Sequence, residues 1–182
     1  MMKRTRTRLW ILSGLCLSFT ALASAQRSGP STARFEATGP AGFRIEGKTS
    51  DLKLEDDGTF LTVDVPLAQL DTGIGLRNKH MREKYLEVAR YPDAVLKVAW
   101  AALKLPAQGS SVTAEATGKM TLHGTTREAP FSYVIHHTGA TYDVTATTRV
   151  NLKAYGINVP SYMGLTVKPD LVTVVNFSAT KS

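Results

Sequence analysis

Four histidines, at positions 80, 123, 136 and 137, are the side chains of this sequence best suited to hold a metal or move a proton. A zinc centre needs three or four ligands that converge, and the spacing here opposes convergence. His136 and His137 are neighbours in a segment of alternating polarity, which turns them to opposite faces of a strand. No metal site is expected. His80 is more suggestive, because Arg77 lies three residues earlier in the one stretch with helix-like spacing, so the two side chains share a face. A guanidinium beside an imidazole suits a carbonyl oxygen or a phosphate. It suits equally well a hydrogen bond from a helix to a sheet, and the residues alone leave both readings open. His123-Gly124-Thr125-Thr126 fits a hairpin turn better than a catalytic site, with Gly supplying a positive φ and the threonines bonding the turn. A Gly-x-Ser-x-Gly elbow, a phosphate-binding loop and His-Glu-x-x-His are all absent, so nucleophile, nucleotide and zinc-protease chemistries lack their residues. A hydrolase would need some unmarked dyad.

The elements that must position these groups are mostly strands. Period two dominates, as in Phe35 and Ala37 against Arg34 and Glu36, or Leu61, Val63, Val65 and Leu67 against Thr62, Asp64, Pro66 and Ala68. Asp56-Asp57-Gly58 marks a turn between Leu54 and Leu61, and these two segments read as a hairpin. Similar alternation recurs to Phe177 and implies about eight strands. One stretch breaks the rhythm, and a helix is expected over about 75–90, capped by Asp71-Thr72-Gly73 and stopped by Tyr91-Pro92-Asp93. Many short-spaced strands with one helix predict an all-β fold, an eight-stranded antiparallel barrel whose interior is either filled or able to hold one small ligand. The lumen candidates are Phe43, Ile45, Leu61, Val63, Val65, Leu96, Val98, Trp100, Met120, Leu122, Phe131 and Tyr133. Each depends on strand phase, since a slip of one residue turns an apolar set outward. Tyr155, Tyr162 and Met163 fall in a Gly- and Pro-broken stretch, 154–169, too long for a simple hairpin; it reads as a lid over the barrel mouth or a cover for a sheet edge.

Composition sets the remaining bounds. With 182 residues, 43% hydrophobic and 20% charged, the chain is globular rather than disordered or collagen-like. The net charge of +7 includes Lys3, Arg4, Arg6 and Arg8; without them 18 cations face 15 acids, a balance of +3 too mild to imply nucleic acid. Those cations open a three-part export signal, followed by an apolar run from Leu9 to about Leu22 and by Ala23-Ser24-Ala25. Cleavage is expected after Ala25, giving a signal peptide at 1–25, a mobile segment at 26–32 and one domain at 33–182. Cys16, the single cysteine, falls in the signal, so the exported chain has no disulfide and relies on its core.

Three ordered stretches carry a family resemblance. Leu70-Asp71-Thr72-Gly73 with Arg77-Asn78-Lys79-His80-Met81 and Tyr91-Pro92 is similar to a Thr-Gly, Arg-Asp-x-His-Leu, aromatic-Tyr-Pro pattern. Gly118-Lys119-Met120-Thr121-Leu122-His123-Gly124-Thr125-Thr126 is similar to a Gly-x-Leu-Thr-hydrophobic-His-Gly-Val-Thr hairpin, and Val150-Asn151 with Tyr155-Gly156-Ile157 to an Asn-Arg-x-x-Phe-Gly stretch. The chain thus resembles the YceI family of secreted lipid-binding proteins over nearly the whole exported length. It departs at Asn78, where Asp is usual, at Leu152, where Arg is common, and at Ala154, where an acid is common. The resemblance implies a lipocalin-like barrel with a helix beside it, a non-enzymatic periplasmic carrier, and an isoprenoid quinone or polyprenyl derivative as ligand, with no other cofactor. Arg77, His80 and Tyr155 become candidates for the mouth, where a head group would sit. Transient membrane contact is compatible with such a cargo, as is a monomer or a homodimer. Buried chain contributes roughly 0.8 kcal/mol per CH₂, so a long isoprenoid needs hardly a hydrogen bond. Two other classes remain open, a lipid-modifying enzyme with His80 as general base and a stress-related interaction module with a filled barrel.

Overall fold

The computed structural model describes residues 26–27, 29–162 and 165–180; the expected signal peptide, 1–25, and Met163 lie outside them. The period-two segments form strands β1 (Gln26–Arg27), β2 (Thr32–Thr38), β3 (Arg44–Thr49), β4 (Lys53–Asp56), β5 (Phe60–Pro66), β6 (Asp93–Ala99), β7 (Ser111–Leu122), β8 (Thr125–Thr138), β9 (Thr141–Asn151) and β12 (Asp170–Thr180), with a two-residue pair β10 (Ser161–Tyr162) and β11 (Leu165–Thr166) apart from them. The main sheet runs β3-β2-β12-β9-β8-β7-β6-β5-β4, antiparallel throughout, and β1 adds to β12. Gln26 and Arg27, in the segment expected to be mobile, therefore pair with Thr180 and Ala179.

Nine strands in line, not eight, is the first correction to the sequence reading. The four-residue β4 has a complete pairing to β5 from Lys53↔Asp64 to Asp56↔Leu61 and forms its own edge. The shape follows from connectivity. Nine flat strands at about 4.8 Å spacing would span roughly 38 Å, yet the two edge strands β3 and β4 are joined by residues 50–52 alone, a reach of at most about 14 Å. The sheet must curl until its edges approach. Among the described residues no ladder joins β3 to β4. Instead Ser31 Oγ donates to Ser50 O at 3.2 Å, and Asp71 makes an isolated two-bond bridge with Lys48 on β3.

Local chemistry fixes the turns. His123 and Gly124 have φ of 50° and 72°, the double left-handed geometry of a two-residue hairpin loop, and Thr121 Oγ1 and Thr126 Oγ1 meet at 2.8 Å beneath it. The Asp56-Asp57-Gly58 turn is held by Asp57 Oδ1, which accepts from Thr59 and Phe60 N–H at 2.9 and 2.7 Å.

The helix is the second correction. α1 spans Gly75–His80 and continues through a wider turn, Met81–Tyr85, in which Leu86 N–H bonds Met81 O, five residues back, at 2.9 Å. It ends well short of residue 90 because Glu87 takes φ 47° and its carbonyl receives the N–H groups of Arg90 and Tyr91. Nor does Asp71-Thr72-Gly73 cap it; the N-cap is Ile74, with no side-chain bond.

Two apolar clusters form the interior. One centres on Leu61, Val63, Val98, Phe131, Tyr133, Ile135 and Phe177, the other on Leu67, Leu70, Met120, Leu122, Val150, Leu152, Tyr155 and Ile157. Each such side chain removed from water contributes about 1.5–3 kcal/mol.

Candidate functional site

The curled sheet and the helix enclose a cavity of about 870 Å³. Its wall is built by alternation: Phe35 and Ala37 on β2, Val63 and Val65 on β5, Leu96 on β6, Met120 and Leu122 on β7, Ala146 and Val150 on β9, and Leu171, Thr173, Val175 and Phe177 on β12. The helix side supplies Met81, Tyr85 and Leu86. All three belong to or follow the wider turn, whose i→i+5 bond joins Leu86 N–H to Met81 O. Among the described residues no acidic side chain lines this space; its polar lining is Thr72, Arg77 and His80 at the helix, with Arg34, Thr147, Thr148, Ser161 and Thr173 elsewhere on the wall.

A second, smaller cavity of about 60 Å³ is lined by Leu61, Val98, Trp100, Tyr133, Ile135 and their neighbours. Val63, Leu96, Phe131, Ala146 and Phe177 line both spaces and so stand between them. Two of the aromatics of the small cavity have their polar tips satisfied elsewhere: Lys104 N–H donates to the Tyr133 hydroxyl at 2.6 Å, and Trp100 Nε1 donates to Asp56 Oδ1 at 2.7 Å.

All twelve lumen candidates line one space or the other. Phe43, Ile45, Val65, Met120 and Leu122 line the large cavity, Leu61, Val98, Trp100 and Tyr133 the small one, and Val63, Leu96 and Phe131 both. Phe43 differs from the rest, since at 61% exposure it stands on the rim. Of the mouth candidates, Arg77 and His80 line the large cavity, whereas Tyr155 lies buried in the second cluster and off the wall. Burial raises the pKa of the Tyr155 hydroxyl, with Arg127 opposing. Phe35, Phe177, Val150 and Leu152 lie outside the twelve candidates, although the period-two spacing of their segments covers all four. Met81, Tyr85 and Leu86 had no such signal, because the widened turn follows no regular period.

The polar end is a connected network. Arg77 Nε donates to Thr72 Oγ1 at 2.8 Å and its terminal amine to Thr72 O. Asn78 Oδ1 accepts from Thr72 N–H and Oγ1 at 2.8 and 2.6 Å, while Asn78 Nδ2 donates to Asp71 Oδ1 at 2.6 Å. That carboxylate also accepts from Gly73 N–H, the bond that does most to hold its pKa below the ordinary value. An Asp in place of Asn78 would bring no donor to Asp71 and would add a second negative charge. The other two departures, Leu152 and Ala154, both belong to the second cluster, and Ala154 O accepts from Arg127 Nε at 2.6 Å. The stretch 154–169 contributes Ile157, Pro160 and Val167 to the wall; Tyr162 lies in β10.

His123 ties the signature stretches together. Its ring centroid is 4.4 Å from that of Tyr91, its Nε2 is 3.5 Å from Glu87 Oε1, and Gly156 approaches its Nδ1. Gly124 beside it has no room for a side chain, since a Cβ there would lie 2.6 Å from the Tyr91 ring. His136 and His137 diverge as strand neighbours do, with His136 exposed and His137 stacked on Tyr142 at 4.0 Å.

Comparison with known proteins agrees with this architecture. Residues 24–178 match the family model of the YceI-like domain. UPF0312 proteins are similar: one from Pseudomonas putida F1 is 27% identical over 134 residues, covering 70% of this chain and 67% of that protein, and one from Pseudomonas fluorescens SBW25 is 32% identical over 133 residues, covering 63% and 67%. Among solved structures, a polyisoprenoid binding domain from Saccharophagus degradans superposes with TM-score 0.71 at 16% identity, over 88% of this chain and 99% of that one. Burkholderia cenocepacia BcnA superposes with TM-score 0.65 at 17% identity, over 82% and 96%.

Proposed function

We propose that this chain, which belongs to the YceI family, is a non-enzymatic carrier that holds the apolar tail of an isoprenoid lipid, a quinone or a polyprenyl derivative, in its large cavity. The observation that carries the reading is the cavity itself: about 870 Å³, walled mostly by aliphatic and aromatic side chains, with Arg77 and His80 on the helix side and Arg34 on β2 as its basic groups. Such a space selects a long apolar chain and offers few polar groups to meet a head group. The Saccharophagus degradans domain, described as polyisoprenoid binding, supports the same ligand class. A filled barrel is disfavoured by that volume. An enzyme reading loses support from His80, which has no hydrogen-bonded or ion-paired acid to orient it among the described residues. His80 is the candidate to meet the head group; the twelve lumen positions divide between tail contact and the packing beyond it. The lipid is the only cofactor proposed. A signal cleaved after Ala25 places the carrier in the periplasm, where a lipid crossing water needs shelter.

The test is a calorimetric titration of delipidated protein with isoprenoid quinones and polyprenyl phosphates at several temperatures. Saturable binding of one ligand with a strongly negative heat-capacity change is expected, the mark of apolar burial. Absence of binding to every isoprenoid would overturn the reading.

A further inference from the structure

Three large hydrophobic side chains stand in solvent at the opening of the large cavity: Phe43, Ile74 and Leu76 are 61%, 52% and 64% exposed, and all three line it. A single exposed leucine means little, but a cluster on one rim marks a contact surface. Two separate segments assemble it. The turn Pro40–Gly42 presents Phe43 just ahead of β3. The Lys48–Asp71 bridge, with both N–H···O bonds at 2.9 Å, sets the chain beyond Asp71 antiparallel to β3, so that it runs back towards Phe43 and brings Ile74 and Leu76 to the same side.

The charges around this rim choose the partner. From Ile74 to Tyr85 the chain carries Arg77, Lys79, Arg82 and Lys84 against Glu83 alone. Arg77 and Arg82 turn back to Thr72 and to Leu70 O, but Lys79 and Lys84 are exposed. Arg44, next to Phe43, has a side chain 74% exposed; it pairs with Glu36 at 3.6 Å, which Arg34 shares, and exposed Glu46 lies two residues along the same strand. Asp71 is engaged by Gly73 and Asn78. Apolar tips ringed by exposed cations match a bilayer of anionic lipid, with side chains at the acyl boundary and ammonium groups at the phosphates.

We propose that Phe43, Ile74 and Leu76 form a membrane-docking face that seats the cavity mouth on an anionic bilayer. Docking stands on the rim alone. Its use, passing an apolar chain between bilayer and cavity without exposure to water, rests on the carrier reading.

The experiment is flotation of the protein, in the processed form its host produces, with phosphatidylcholine vesicles and with mixed phosphatidylcholine–phosphatidylglycerol vesicles. Wild type, a Phe43→Ser/Leu76→Ser variant and Leu105→Ser are compared. Leu105 is an exposed apolar residue on the small cavity, away from the rim. Wild type and Leu105→Ser should float with the anionic vesicles, and the double variant should bind about tenfold more weakly or worse. Because the altered residues are exposed, unchanged circular dichroism and melting are expected. Equal flotation of all three proteins, no flotation of wild type, or a dimer that the double variant dissociates would overturn the docking face. Solvent extraction of the same samples separates the two ideas: a lipid-loaded protein that does not float defeats docking alone, and a floating protein that takes up no isoprenoid defeats the carrier reading alone.

Discussion

Arg77 is bound back to Thr72, with Nε 2.8 Å from a hydroxyl that itself donates to Asn78 Oδ1 at 2.6 Å. The guanidinium thereby fastens the start of the helix to the segment that bridges β3. Arg77 thus bonds the loop between the β3 bridge and the helix. His80 is exposed and lines the cavity.

Thr72→Val removes the hydroxyl at the centre of this network and leaves Arg77 Nε and part of Asn78 without partners. A loss of about 1–2 kcal/mol is expected, measured from the denaturant midpoint, with Thr72→Ser restoring most of it. An unchanged midpoint in Thr72→Val would show that the network holds nothing.

Gly47 is buried opposite Phe35, and a Cβ there would lie 2.3 Å from the ring. Phe35 lines the large cavity, so the ring can move only by entering it. Gly47→Ala should cost about 1–3 kcal/mol and reduce the lipid extracted per protein. Normal loading in a stable Gly47→Ala protein contradicts this packing.

Asp64 gives a pH-dependent prediction. Its Oδ1 is buried without a hydrogen bond, and burial, then Asp93, raise its pKa against the weaker pull of Lys53, 3.9 Å away. Because the folded-state pKa exceeds the unfolded one, the stability linked to this group is full below the ordinary Asp value of about 3.9 and is lost as pH rises through the raised value. Asp64→Asn cannot ionise. It should raise the melting temperature at neutral pH and bring no gain in acid; an equal gain at both would place the effect elsewhere.

The wall shared by the two cavities should measure chain length. Ala146→Phe fills part of it and should lower lipid content while keeping the lipid-free protein at least as stable. Phe131→Ala should join the two spaces at a cost of about 3–5 kcal/mol and shift the bound lipids towards longer chains. Lys53→Ala, exposed on an edge strand, should leave loading unchanged. Mass spectra of extracts from these variants decide it, and an unaltered lipid profile in both wall variants contradicts the shared wall.

Strand phase was the legible part of this molecule. Period two put Val63, Leu96 and Phe131 on the inner face because a sheet buried on one side tolerates no slip. The β4–β5 hairpin was legible too, from Leu54, Asp56-Asp57-Gly58 and Leu61, while the total of about eight fell one short of the nine strands in line. The helix was overextended because the left-handed turn at Glu87 rests on tertiary contact with His123 and Tyr91, not on any helix-stopping residue at that point. Tyr155 lay in a legible motif, yet its burial beside Leu152 and Ile157 depends on how the 154–169 stretch folds back over the barrel. Phe43 had the right period and the wrong depth, because it stands just ahead of β3, where the chain clears the rim.

The most direct test of the carrier account is native mass spectrometry of the processed protein purified without detergent, followed by organic extraction. The account predicts an adduct of several hundred daltons, one per chain, that extracts as an isoprenoid. A bare protein mass that stays bare after incubation with isoprenoid quinones and polyprenyl phosphates would contradict it.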